Sequence, residues 1–337
     1  MRKRLFSLSL RAVFFLTLIF NTQAFATIRI LTFHYNQSEF IEMQYKTLNK
    51  FLKDDFELIV FNDAKTEENE KSIESVCNEY QIHCVRFKPE WHLTDPLNSY
   101  LKMRLQQPST IGYWGWNGST SNEEFANHPS VRHSHVIQYA LDNYGYKHDD
   151  IVVIMDGDNF LIKPLSIRQL MSSNDIVGFN QWPDQLAQQR RRLELTVPKG
   201  MEMFWVVFIA FNPRKLPNVK ELRFNVDVVS GHPHLPNNTI SDTGAAVYKY
   251  LWKHPKLKLL AFPWQSSYTY RCLSNVELKK LSISDRVVQL IRDIHPENVQ
   301  FFVFEHFVHF SAYTQKGVNH EFKVGHFRQF IEDILKS

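Results

Sequence analysis

The run Asp150-Ile-Val-Val-Ile-Met155 is the most strand-like stretch of the chain, and it ends abruptly in Asp156-Gly157-Asp158. Its apolar, largely β-branched residues specify a buried strand. Other short runs of the same character precede it: Ile28–Phe33, Phe56–Phe61 and His83–Phe87. Between them lie two helical stretches. The first covers residues 38–52, with Phe40, Met43, Tyr45, Leu48 and Leu52 near helical spacing and Ser38 placed as its N-cap. The second is a charged stretch over residues 66–79. Strand, helix, strand, helix, strand is the order of parallel βαβ units. Such units gather ligands at the carboxyl ends of their strands.

Farther along, residues 90–128 read as a long loop or insertion holding Trp91, Trp114 and Trp116. A helix is expected over Arg132–Tyr144, with strands at Asp175–Phe179, Trp205–Phe211 and Phe301–Phe304. An amphipathic helix over Phe327–Leu335 closes the chain. Neither an internal repeat nor a Pro/Gly/Ser linker divides it. The expectation is one α/β domain over residues 27–337, with a mixed, mostly parallel central sheet and helices on both faces.

At 44% hydrophobic and 22% charged residues, disorder and low-complexity classes are excluded. The chain has 39 basic and 35 acidic residues, but Arg2, Lys3, Arg4 and Arg11 fall in the first 26 residues, which hold no acid. Without them the balance is neutral, so no nucleic-acid partner is indicated. That same segment has a basic start, an apolar Ala12–Phe20 and a small-x-small Ala24-Phe25-Ala26, the pattern of a cleaved signal peptide. A membrane anchor needs about 20 apolar residues, and Arg11 interrupts the run. The mature protein is expected to be exported or in a secretory pathway, membrane-attached only if the leader is uncleaved. Cys77, Cys84 and Cys272 allow at most one intramolecular disulfide. Cys77 and Cys84 are the close pair, either bridged or buried as thiols.

Two carboxylates one residue apart at a strand end converge on a hard divalent cation such as Mn²⁺ or Mg²⁺. Such an ion bridges two phosphates and neutralises charge developing on a nucleotide leaving group. The plainer reading of Asp156 and Asp158 is a solvated turn. Hydrophobicity resumes at once in Phe160 and Leu161, which brackets the pair tightly.

With these features in order, the chain resembles nucleotide-sugar-dependent glycosyltransferases of the GT-A fold, a Rossmann-like single domain with a DxD motif. The resemblance runs over residues 27–312. It rests on the βαβ region from Ile28, the helix Arg132–Leu141, Asp156-Gly157-Asp158, the strand ending Phe211-Asn212-Pro213, Ser241-Asp242-Thr243-Gly244, and Phe307-Val308-His309-Phe310. The resemblance implies that Asp156 and Asp158 hold a metal, Asp156 also contacting the donor. His309 is the implied third ligand, with His306 its rival. Thr32, Phe33, Asn62 and Asp63 are implied to hold the base and ribose, and Arg132 to contact the donor. Asp242 then deprotonates or orients the acceptor hydroxyl, or else caps the helix after it. Arg190–Arg192 either closes over a diphosphate or is a solvated face. Trp114, Trp116, Trp182 and Trp264 stack on sugars or belong to the core. The implied partners are a nucleotide sugar and a glycan, lipid or protein acceptor.

Two other classes share features of the chain. A phosphatase of the haloacid dehalogenase type also places Asp-x-Asp after a strand, but it expects Thr or Val where Phe160 stands. A carbohydrate-binding protein with a structural Ca²⁺ would account for the tryptophans but not for the βαβ order.

Overall fold

Alternate side chains of Ile28–His34 (β1) enter two different cores, one on each face of a sheet. Ile28 and Ile30 join the first, Leu31 and Phe33 the second. The computed structural model describes residues 27–107, 111–112, 121–180, 204–229, 239–240, 243–262, 265–266, 301–304, 306–310 and 320–336. The leader, Arg190–Arg192, Trp114, Trp116, Trp182, Trp264, Cys272 and Asp242 lie outside them.

After β1 the described strands are β2 (Phe56–Asn62), β3 (His83–Arg86), β4 (Ile111–Gly112), β5 (Val152–Asp156), β6 (Asn159–Leu161) and β7 (Ile176–Asn180). They continue as β8 (Phe204–Phe211), β9 (Val228–Val229), β10 (Thr239–Ile240), β11 (Leu259–Phe262), β12 (Gln265–Ser266), β13 (Phe301–Phe304) and β14 (Phe307–Phe310). The helices are α1 (Ser38–Phe51), α2 (Glu67–Glu79), α3 (Pro89–Thr94), α4 (Pro96–Leu105) and α5 (Asn122–Ala126). They are followed by α6 (Pro129–Ala140), α7 (Ile167–Met171), α8 (Ala245–Lys253) and α9 (His320–Lys336).

Seven strands form the main sheet in the order β11-β7-β8-β5-β1-β2-β3. Only β8 runs against its neighbours, so the sheet is mixed and mostly parallel, as expected. Leu58 and Val60 of β2 and Val153 and Met155 of β5 repeat the first face, and α1 and α2 cover it with Ile41, Leu48, Ile73 and Cys77. Ile59, Phe61, Val152 and Ile154 repeat the second face, under Val136 and Ile137 of α6 and Val247 and Leu251 of α8. Parallel register sets Phe33 beside Asp156 and His34 beside Asn62, so β1, β2 and β5 end at one edge.

Beyond that edge lies a smaller sheet, β12-β13-β14-β6. It pairs the strand after the acidic turn with the distant C-terminal segment, aligning His309 with Asn159. Its outer face meets α1 and α9 through a phenylalanine cluster. Phe40 lies edge-on to Phe160 at 5.4 Å, and Phe310 stacks on Phe327 at 4.4 Å.

Several local expectations are corrected. Gln37, not Ser38, is the N-cap of α1, without a side-chain cap; the Ser38 hydroxyl instead bonds Ser72 on α2 at 2.7 Å. The expected loop after residue 90 contains α4 and α5 and most of α3. Pro89 and Pro96 take first-turn positions, where a missing N–H costs nothing, and the Asp95 carboxylate caps the Leu97 N–H. The helix α6 stops at Ala140 and runs on as a π-turn over Leu141–Gly145. Trp91 packs against Phe87 and Tyr139. Of the two alternatives for the close pair, Cys77 and Cys84 are free thiols, Cys77 buried and Cys84 half-buried. Among the described residues no helix is long and apolar enough to cross a membrane.

Phe327 is fully buried in the aromatic cluster that fastens α9 to the smaller sheet. Phe327→Ala is expected to lower unfolding stability by about 3–5 kcal/mol, as for other buried aromatic truncations. Urea denaturation followed by circular dichroism measures it; a loss under about 1 kcal/mol would mean that α9 does not pack there.

Candidate functional site

Gly157 fixes where the acidic turn lies. A Cβ at this position would meet the Phe33 carbonyl oxygen at 2.4 Å and the His34 ring at 2.8 Å. Only glycine lets the turn after β5 approach the end of β1 so closely. The turn's backbone is then held from three sides. Gln44 of α1 donates its amide to the carbonyls of Asp156 and Asn159, at 2.8 and 2.9 Å. The Phe310 N–H donates to the Asp158 carbonyl at 2.9 Å, and the Asn159 side chain donates to Val207 at 3.0 Å.

With the backbone so engaged, the side chains of Asp156 and Asp158 face a cavity of about 410 Å³. The β14–β6 pairing delivers His309 to the same place. Its Nε2 lies 2.9 Å from Asp158 Oδ1 and 3.8 Å from Asp156 Oδ2. One potential ligand atom from each of Asp156, Asp158 and His309 falls within 4.8 Å of the others. His306 is not part of this group; its carbonyl accepts from the Ile162 N–H at 2.8 Å.

Two oxygens and an imidazole nitrogen form a donor set that suits Mn²⁺, and the carboxylates alone suit Mg²⁺. Their charges are otherwise balanced mainly by histidines. Burial pushes the Asp156 pKa up, but His133, His309 and His34 outweigh it and hold it below the usual carboxylate value. Burial likewise lowers the His309 pKa, yet Asp158 and Asp156 outweigh it and raise it. A cation held here would compete with a proton for the imidazole. The residues fit such an ion.

Two histidines of the site were missed by sequence reasoning. His133 on α6 places Nε2 3.0 Å from Asp156 Oδ1 and lines the cavity. His34 also lines it, buried at the end of β1, with its Nε2 3.2 Å from the Thr32 hydroxyl. Each adjoins a residue singled out from the sequence, Arg132 and Phe33, but local pattern does not reveal where a helix or strand end is turned.

The other expected residues divide. Phe33, Asp63 and Arg132 line the cavity. Asp63 and Arg132 are spent on each other: Arg132 Nη2 donates to Oδ1 at 2.7 Å and Nε to Oδ2 at 3.2 Å. His92 adds a contact to Oδ1 at 2.7 Å. They form one buried unit on the cavity wall. The Arg132 guanidinium also lies over the Tyr35 ring, 4.9 Å from its centroid. Thr32 and Asn62 do not line this cavity. Thr32 faces the α1 side with Ile28 and Ile30, and Asn62 is engaged with the Glu70 carbonyl and the Ala64 N–H. Asp242 lies outside the described residues; Thr243 lines the cavity and donates its hydroxyl to the Ser130 carbonyl at 2.9 Å.

No protein-family model matches the chain, and no curated protein matches it. Solved structures resemble it distantly. A mannosyltransferase from Pyrobaculum calidifontis, in complex with GDP-Man and Mn²⁺, aligns at TM-score 0.37 and 12% identity, over 71% of this chain and 55% of its own. Core-mannan synthase A from Aspergillus fumigatus, in a Mn/GDP form, aligns at TM-score 0.31 and 12% identity, over 57% of this chain and 61% of its own. Glucosyl-3-phosphoglycerate synthase from Mycobacterium tuberculosis, with Mn²⁺, UDP-glucose and glycerol 3-phosphate, aligns at TM-score 0.30 and 16% identity, over 57% of this chain and 58% of its own. The aligned part thus spans little more than half of each neighbour, and likenesses this distant carry no argument about activity.

The buried histidines make stability depend on pH. Burial pushes His34 down to about 4, and burial does the same to His135. The folded state therefore binds fewer protons than the unfolded chain between about 6.5 and 4, and stability present above that window is lost as pH falls through it. His309 is shifted the other way, so its contribution is intact below about 6.5 and does not mask the loss. For His34 alone the expected loss is about 3 kcal/mol. Urea titrations across this range should show a shallower fall in His34→Gln than in the parent. Equal slopes would mean that His34 is not buried neutral.

Proposed function

We propose that the chain is a metal-dependent glycosyltransferase that moves a sugar from a nucleotide-diphosphate donor to a hydroxyl of a glycan, lipid or protein acceptor. One observation carries this reading. Asp156, Asp158 and His309, from segments far apart in sequence, converge at the carboxyl edge of a mixed α/β sheet, on the wall of a cavity of about 410 Å³. Mn²⁺ or Mg²⁺ would be held by these three residues; bound, it neutralises charge developing on a diphosphate leaving group. The imidazole favours Mn²⁺ over a structural Ca²⁺, which takes oxygen ligands.

The chain's own residues orient the reactants. Phe33 and Val206 give the cavity apolar walls, and Tyr35, with the Arg132 guanidinium over its ring, adds an aromatic surface. The Asp63–Arg132 unit anchors α6 to the end of β2, fixing that wall. We assign Asp242 to the acceptor side, where a carboxylate takes the hydroxyl proton or orients the hydroxyl for attack.

Release of nucleotide diphosphate from a panel of sugar donors with Mn²⁺ tests the reaction. Asp158→Ala is expected to abolish release and Mn²⁺-dependent nucleotide binding without moving the thermal midpoint; near-parent turnover would refute the metal-site reading. Asp242→Asn is expected to lower turnover by about a hundredfold or more, the scale for a positioned acid or base, with donor affinity by calorimetry unchanged. An unaltered rate would remove Asp242 from the chemistry.

A further inference from the structure

A carboxylate that ligates a small cation through one oxygen has a second oxygen to account for. At Asp156 each oxygen faces a different histidine. Oδ2 lies 3.8 Å from His309 Nε2, and Oδ1, a buried oxygen without a hydrogen-bond partner among the described residues, lies 3.0 Å from the Nε2 of His133, a residue outside the candidate ligand group. We propose that His133 is a positioning residue for the metal: its Nε2, 3.0 Å from that unpartnered Asp156 Oδ1, turns to donate to the oxygen when the ion binds, leaving Oδ2 as the oxygen offered to the ion. This rests on the metal-dependent reading above and adds to it a residue that acts through Asp156 rather than on the ion.

The surroundings of His133 suit that task. Its ring meets the Phe33 ring edge-on, with centroids 5.6 Å apart and an interplanar angle of 71°. Its neighbour Arg132 is clamped to Asp63 by two side-chain hydrogen bonds. Adjacent positions on a helix point about 100° apart. So Arg132 reaches the residue following β2 while His133 reaches the end of β5. The ion pair below sets the height and rotation of α6, and Phe33 sets the plane of the imidazole. A carboxylate with an imidazole donor within reach of one oxygen is kept from swinging both oxygens onto the ion. Groups that orient ligands in this manner typically contribute about 10–100-fold to metal affinity.

The test is a Mn²⁺ titration of the full chain without nucleotide, read by the electron paramagnetic resonance signal of free Mn²⁺. The proteins compared are the parent, Asp158→Ala, His133→Phe and His133→Gln. Phenylalanine keeps a ring against Phe33 and removes the donor; glutamine restores an N–H at similar reach. The expected result is a dissociation constant raised about 10–100-fold in His133→Phe and largely recovered in His133→Gln, with thermal midpoints close to the parent. Parent-like affinity in His133→Phe, or equal losses in the two variants, would overturn the assignment while the metal site stands, provided that Asp158→Ala abolishes binding. A parent that binds no Mn²⁺ would overturn the metal-dependent reading and this proposal with it.

Discussion

The approach of Gly157 to the end of β1 is the contact on which the site depends. Its α-carbon leaves no room for a side chain, because the Phe33 carbonyl and the His34 ring occupy that space. Any substituent would push the turn away from β1 and break the alignment of Asp156 with Phe33. It would also displace β6, which begins two residues later and carries the pairing that brings His309 into place. The Gln44 amide then makes the arrangement specific, since it bonds carbonyls on both sides of the turn. A fully buried amide aimed at two backbone acceptors tolerates few alternative positions of α1.

The sequence disclosed those parts of the fold whose signals are local. Short apolar, β-rich runs in β1, β2 and β5 and helical spacing in α1 need no partner to be recognised, and the βαβ order followed from them. The helices α3 and α4 escaped because α3 is one short turn and α4 has almost no amphipathic stripe. Their prolines marked first-turn positions instead. At the site, a carboxylate pair after a buried strand was legible, whereas His309, expected after the Phe301–Phe304 strand, came only from the family resemblance and lies in a strand of its own. Which strand-end residues face the cavity was not legible. Thr32 and Phe33 are neighbours, yet pleating sends one toward α1 and the other into the cavity wall. His133 was beyond reach for a related reason, since its role depends on the rotation of α6 over β5.

The buried Asp63–Arg132 pair also decides the electrostatic character of the cavity. A buried ion pair is weak evidence for stability, because desolvation offsets much of the attraction. Here it consumes the only arginine or lysine among the described lining residues, so among the described residues Asp156 and Asp158 have no permanently charged counterion. His309 and His133 supply positive charge only while protonated. A diphosphate brought alone into this cavity would meet two carboxylates of its own sign. With a divalent cation in place the same carboxylates become its ligands and the repulsion turns into attraction. Cation and phosphate ligand would then raise each other's affinity by the same factor, as linkage requires. On the proposed function, the two acids and the sequestered arginine would have a joint consequence: an anionic donor would enter together with its metal.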